Sequence, residues 1–207
     1  MKKQYIYLGY NIEMGQYPVT FDEYIEFCNA TGRNIPYDNG YGKGSRPVIN
    51  VCWNDAVEYC NWLSAAAGLK PAYYLDDEMW FLKGEPDELE GFRIPETYEW
   101  EYAARGGEDH TATRFAGSND LDEVAWYYDN ANWTTKPVGL KKGNGLGLYD
   151  MSGNVWEWLN CGGIKGGSYN DGDYNLFEVN YISRYYHNRD EGCGNIGFRV
   201  VRTLVAR

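Results

Sequence analysis

Apolar positions recur at helical spacing three times in the first half of the chain and lose that period in the second. Residues 4–18 alternate in the manner of strands and turns. Thr20-Phe21-Asp22-Glu23 is a capping-box pattern: the Thr20 hydroxyl accepts from the Glu23 amide while Glu23 reaches back. Phe21, Tyr24, Ile25 and Cys28 then mark one face of a first helix, which Gly32 closes. A Gly-rich loop, Asn39 to Ser45, leads to an extended segment from Val48 to Trp53. Asn54 is the expected N-cap of a second helix, with Ala56, Tyr59, Cys60, Leu63 and Ala67 as its apolar stripe and Gly68 as its stop.

Residues 73–93 read as strand, loop and strand, with an acidic insertion from Glu85 to Glu90. A third helix is predicted over about 96–105, with Trp100, Ala103 and Ala104 turned inward and Gly106-Gly107 ending it. From 106 onward the chain is rich in Gly, Asn, Asp and Tyr, with short strand-like runs such as Phe198 to Val201. Loops this long, when ordered, are usually functional. With no linker and no internal repeat, the reading is one domain over 1–207, of α+β class.

Composition narrows the function. Hydrophobic residues make up 43% of the 207 and aromatics 17%, so a packed core is within reach. The aromatics are 20 Tyr and 8 Trp against 7 Phe, a bias toward rings with a polar handle, which serve cores and binding surfaces alike. The net charge of −11 and the want of a basic stripe argue against nucleic acid and against an anionic membrane surface. No apolar run approaches the roughly 20 residues that cross a bilayer. Met1-Lys2-Lys3 opens like a signal peptide, but Gln4, Tyr5, Gly9, Tyr10 and Asn11 interrupt any apolar continuation. The chain is then either cytoplasmic or trimmed of a leader, with a lipid anchor as its one link to a membrane. The five cysteines, Cys28, Cys52, Cys60, Cys161 and Cys193, show neither a zinc spacing nor an even disulfide count; Cys28 and Cys60 read as small buried hydrophobes.

Several blocks in order along the chain resemble the formylglycine-generating-enzyme (sulfatase-modifying factor) family. They are Gly15-Gln16-Tyr17-Pro18-Val19-Thr20; Arg46-Pro47-Val48 through Trp53-Asn54-Asp55-Ala56 with Tyr59-Cys60-Asn61-Trp62-Leu63; and Arg93-Ile94-Pro95 with Glu99 to Gly107. Asn144 to Trp158, Gly166-Gly167-Ser168-Tyr169 and Asn195-Ile196-Gly197-Phe198-Arg199 complete the set. The resemblance implies a C-type-lectin-like fold: few helices, short antiparallel strands and about half irregular loop. It also implies that catalysis would need a cysteine pair shortly after Gly166-Gly167-Ser168-Tyr169, because a thiolate binds copper and carries the redox step. Asp171 and Leu176 stand at those two positions. Related iron enzymes use histidine clusters, whereas this chain has only His110 and His187. The resemblance further implies calcium near Asn154 and Glu157, as a structural ion; no other cofactor is implied.

Residues 169–195 draw more than half their members from Tyr, Asn, Asp and Gly, an alphabet of adaptable recognition. The arrangement resembles the variable proteins of diversity-generating retroelements, the treponemal one among them. In those proteins adenine-specific errors rewrite residues near the C-terminus of a lectin-like frame. The expected variable region is about 160–200, and its ligand-facing set is Asp171, Gly172, Asp173, Tyr174, Tyr181, Ser183, Tyr185, Tyr186, His187, Asn188, Arg189 and Cys193. Trp126, Tyr127 and Trp133 are expected on its rim, and Trp156-Glu157-Trp158 as a buried brace. The reading is a non-catalytic binder of a protein or other surface ligand, displayed at the cell surface or outside the cell, with a cytoplasmic location as the alternative. The competing readings are a divergent oxidase of the same family and an interaction module of fixed specificity.

Overall fold

The structure is a computed structural model, and it describes residues 1–108, 113–183 and 189–205. Its first two strands, β1 (Lys3–Tyr7) and β2 (Asn11–Gly15), form an antiparallel hairpin. β2 also pairs antiparallel with β8 (Val201–Thr203), so the two ends of the described chain share one three-stranded sheet in the order β1-β2-β8.

Helix α1 (Phe21–Thr31) begins at the predicted capping box. Glu23 N–H donates to the Thr20 hydroxyl at 3.3 Å, and Glu23 Oε2 accepts the Thr20 amide at 3.0 Å. Gly32 closes the helix at φ 71°, a left-handed conformation that suits a residue without Cβ. Its buried face is Phe21, Tyr24, Phe27 and Cys28; Phe27 takes the place expected of Ile25, which is half-buried. Helix α2 (Trp53–Ala66) starts earlier than Asn54 would allow. Its N-cap is Cys52, whose sulfur accepts the Asp55 amide at 3.4 Å while the Asp55 carboxylate accepts the Cys52 amide at 3.1 Å. Ala56, Tyr59 and Cys60 are buried as predicted, whereas Ala67 is exposed at the helix end and Ser64 is buried instead.

The two helices meet through rings. Tyr24 stacks on Tyr59 at 5.5 Å, and Phe198 packs edge-on against both, at 6.2 and 5.3 Å. Aromatic pairs of this kind add about 0.5–1.5 kcal/mol beyond the area they bury. The hairpin β3 (Tyr73–Asp76) and β4 (Met79–Leu82) follows, and the acidic insertion carries one 3-10 turn, Pro86–Glu88. Helix α3 (Thr97–Arg105) turns Trp100, Ala103 and Ala104 into a second apolar cluster with Ile12, Met14, Leu148 and Val201.

Regular structure after α3 is sparse. Helix α4 (Leu121–Val124) is short, and Trp156-Glu157-Trp158 is a fully buried strand, β5 (Trp156–Trp158). It is the centre of a sheet in the order β6-β5-β7, with β6 (Ile164–Lys165) antiparallel and β7 (Ile196–Gly197) parallel to it. Of the strand expected over Phe198 to Val201, only Val201 is in a strand, β8; residues 198–200 link β7 to β8. Val48 to Trp53 is extended at its start without joining a sheet, and only the flanking Pro47 makes a bridge, to Thr20.

Buried polar groups do the work that periodicity does elsewhere. The Arg199 guanidinium embraces Glu157 at 2.8 and 3.1 Å and also donates to the Gly15 and Tyr149 carbonyls, both at 2.7 Å. Trp100 Nε1 donates to Glu157 at 2.7 Å. Arg93 and Glu99 form a second buried pair with two contacts of 2.6 Å. Each of these ions is admitted to the interior because its partner is already in place. Cys28 and Cys60 are buried free thiols, as expected, and so is Cys52; Cys161 is exposed and Cys193 half-buried. Among the described residues no helix is long and apolar enough to cross a membrane.

Candidate functional site

The excursion between β6 and β7 leaves the sheet through Gly166-Gly167-Ser168-Tyr169. Gly166 accepts the Gly153 amide at 2.8 Å, and Gly167 turns at φ 73° with the Phe177 ring where a Cβ would stand, 2.5 Å away. Only glycine meets both demands. The buried Ser168 hydroxyl reaches Asn170 Oδ1 at 2.7 Å and Asp171 Oδ2, and it accepts the Asn195 amide at 3.3 Å. One serine therefore ties the outgoing strand of the excursion to its return.

Beside this knot lies a cavity of about 270 Å³, lined by Trp156, Ile164, Asp171, Leu176, Tyr181, Ser183 and Asn195. Its walls are mostly apolar. Tyr181 tilts against Trp156 with ring centroids 6.1 Å apart, and Leu176 packs on the apolar clusters. Tyr181 is positioned through its carbonyl, which accepts the buried Lys165 ammonium at 2.6 Å; Glu101 holds that ammonium at 2.9 Å. Burial pushes the Lys165 pKa down while Glu101 holds it up. Ser183 is buried in a two-way bridge to Ile164, at 3.0 and 3.2 Å. Asp171 is the charged member of the lining. Burial raises its pKa, and hydrogen bonds from Ser168 and the Trp156 indole counter that rise.

The structure divides the predicted ligand-facing set. Gly172, Asp173, Tyr174 and Arg189 are exposed; Asp171 and Tyr181 are half-buried in the cavity wall. Asp173 caps the 3-10 turn Tyr174–Phe177, and the Tyr174 hydroxyl meets that of Tyr127 at 3.1 Å. Arg189 lies over the Trp53 ring at 4.5 Å and donates to the Cys161 carbonyl at 2.8 Å, which docks it on the frame. Ser183 is buried as a rung of the sheet extension and lines the cavity. Cys193 packs against the first cluster with its carbonyl accepting the Asn50 amide at 2.9 Å. Tyr185, Tyr186, His187 and Asn188 lie outside the described residues, as does His110.

Of the residues expected on the rim, Trp133 is 57% exposed. Tyr127 is buried, and Trp126 is half-buried with the Lys141 ammonium 4.4 Å above its ring. Sequence spacing missed Tyr128, which meets Trp133 edge-on at 4.4 Å and donates its amide to the Asp171 carbonyl at 3.0 Å. That bond joins an exposed aromatic ledge to the cavity loop. Trp156 and Asn195 were also missed as lining residues, because a buried brace and a scaffold block gave no sign of facing a cavity.

Asn154 and Glu157 do not fit a calcium ion. Both Glu157 oxygens face the Arg199 guanidinium, whose charge would repel a cation. The Asn154 amide is spent on the Lys136 backbone, at 2.9 and 3.0 Å, and on Asp150 at 3.3 Å. Oxygen ligation of calcium asks for six or more converging oxygens. Among the described residues no group of three or more His, Cys, Asp or Glu side chains converges as a metal site.

A family model described as "Sulfatase-modifying factor enzyme 1-like domain" matches residues 5–204. The chain belongs to this family. Its relatives within the sulfatase-modifying factor family carry different names. It is 37% identical to "Chaperone protein LppX" of Paenibacillus barcinonensis, over 92% of this chain and 79% of that protein. It is 28% identical to the mouse formylglycine-generating enzyme, over 76% of this chain, and spans 44% of that enzyme's length. The mouse "Inactive C-alpha-formylglycine-generating enzyme 2" is 26% identical over 77% of this chain. The family thus holds active and inactive members. Among solved structures, Treponema denticola variable protein 1 superposes with a TM-score of 0.76 at 26% identity, covering 99% of this chain and 92% of its own. CarF superposes with the same TM-score at 28% identity, covering 99% and 97%. The fold is accordingly the α+β, formylglycine-generating-enzyme-like one, and a ligand-binding module fits it.

Proposed function

We propose that this protein is a non-catalytic ligand-binding module whose 160–200 region is diversified by a retroelement. The observation that carries the reading is the occupancy of one cavity. Asp171 and Leu176, at the positions the family resemblance gives to the catalytic cysteine pair, both line it. A carboxylate and an isobutyl group cannot bind copper as a thiolate pair does. The likeness to a treponemal variable protein supports the same reading, as does the exposure of Gly172, Asp173 and Tyr174 on a loop tied down at both ends. The module is one domain over 1–207 that needs no cofactor. It takes a protein or other surface ligand rather than nucleic acid and is displayed at the cell surface.

Sequencing the locus in sibling isolates tests this. Substitutions should concentrate between Asp171 and Arg189 and spare Ser168, Phe198 and Arg199, beside a reverse-transcriptase gene and an imperfect copy of the region. Substitutions scattered evenly along the chain would overturn it. A divergent oxidase would instead turn a Cys-containing sulfatase peptide into an aldehyde in the presence of copper. The likeness to a protein named as a chaperone favours a second reading, an interaction module of fixed specificity. That reading expects an invariant Asp171–Arg189 segment and no template copy nearby.

A further inference from the structure

We propose that the cavity walled by Trp156, Asp171, Leu176 and Tyr181 is a subsite for a basic side chain, lysine or arginine, presented by a protein ligand. The inference rests on the cavity being the ligand site and adds the chemistry of what enters it.

Three observations carry it. Asp171 is a half-buried carboxylate in the cavity wall, and among the described residues no basic side chain pairs with it. Two buried carboxylates of the frame carry a countercharge, Glu99 from Arg93 and Glu157 from Arg199; buried Asp150 instead takes hydrogen bonds from Gly139 and Asn154. Among the described residues, Asp171 is held by Ser168 and the Trp156 indole, and burial raises its pKa. A carboxylate kept partly out of water without a countercharge gains most from a partner that brings one. The second observation is the wall. Trp156 and Tyr181 flank the opening with Ile164 and Leu176, so the stem of a long side chain meets apolar surface and its cationic head meets ring faces. The third is size and setting. A volume of about 270 Å³ suits one side chain rather than a whole drug-sized ligand. The Tyr128–Trp133 ledge, bonded to the same loop, then offers exposed rings to the residues on either side of the one inserted.

The test uses the full chain and four capped tripeptides: Gly-Lys-Gly, Gly-Arg-Gly, and uncharged counterparts with norleucine and citrulline at the centre. Two-dimensional NMR follows the Trp156 indole and the Asn195 side-chain amide. The basic peptides should shift both signals saturably and bind about tenfold or more tighter than their uncharged partners. Asp171→Asn should erase that preference. Equal binding of charged and uncharged peptides overturns the cationic assignment while leaving the cavity as a ligand site. Binding of free butylguanidinium as tight as Gly-Arg-Gly overturns the assignment to a protein side chain. No shift with any peptide overturns the subsite, whereas the diversification reading is decided separately by the locus sequences. The peptide series on the unaltered protein decides the matter even where Asp171→Asn does not fold.

Discussion

The α1–α2 half and the half that follows α3 reach rigidity by different physics. In the first, Tyr24, Phe27 and Tyr59 interlock as rings on regular helices, with Phe198 from the far end of the chain packed edge-on against them, and backbone groups are satisfied inside those helices. In the second, helices and strands are few, and buried side-chain ions and amides satisfy the backbone in their place. Asn144 shows the pattern. Its amide donates to the Ala103 and Ala104 carbonyls at 2.7 and 3.1 Å, and its oxygen accepts the Leu146 and Leu148 amides at 3.1 Å. The lesson is that an irregular chain can be a firm frame when most polar groups in its interior are paired; among the described buried side chains, Trp126 Nε1 and Thr135 Oγ1 are the exceptions in this half.

The largest test of this contrast is Glu157→Ala. It would leave Arg199 buried without its carboxylate and should cost about 3–5 kcal/mol in chemical denaturation. A loss under about 1 kcal/mol would show that the ion pair is not what holds the second half. Next in size is a pH effect. Burial pushes the Asp150 carboxyl up to about 6, against an ordinary value of 3.8, despite hydrogen bonds from Gly139 and Asn154. The unfolded chain therefore gives up this proton first. Its contribution is fully present below the ordinary value and is lost as pH rises through about 6, a swing of up to about 3 kcal/mol. Asp150→Asn should flatten the stability profile between about pH 4 and 6. In the helical half the matching test is smaller: Thr20→Ala removes a capping hydrogen bond and should lower stability by about 1 kcal/mol. The smallest effect belongs to the excursion. Gly172 has open space beyond the Tyr128 side chain at 3.8 Å, so Gly172→Ser should change the melting free energy by less than about 0.5 kcal/mol. A cost as large as that of Thr20→Ala would place Gly172 in the frame and weaken the case for a replaceable surface.

The helical half was legible because its signals are local. Thr20, Glu23 and Gly32 announce α1 within a dozen positions, and Trp100, Ala103 and Ala104 announce the inner face of α3. The N-cap of α2 was misread because Asn54 is a strong capping residue by type, whereas Cys52 caps through a weak sulfur acceptor assisted by Asp55. Helix α4 is a single turn and has no period to detect. The cavity was half legible. Asp171, Tyr181 and Ser183 were named from composition, whereas Trp156 and Asn195 join them only through a sheet that pairs residues about 40 positions apart. The family resemblance implies Glu157 as a metal ligand, whereas its partner here, Arg199, lies far along the chain in a block that gives no hint of pairing.

The β6-β5-β7 sheet has a consequence for how much the excursion can change. Residues 166–195 depart from one neighbour of β5 and return on the other, so their two ends are pinned about 10 Å apart by ladders on a single shared strand. Closing a flexible segment between fixed posts costs free energy only as the logarithm of its length, about 0.6 kcal/mol for each doubling. Insertions of several residues at the exposed Gly172–Asp173 tip are therefore nearly free, and this fold can lengthen its grip as readily as it can re-letter it.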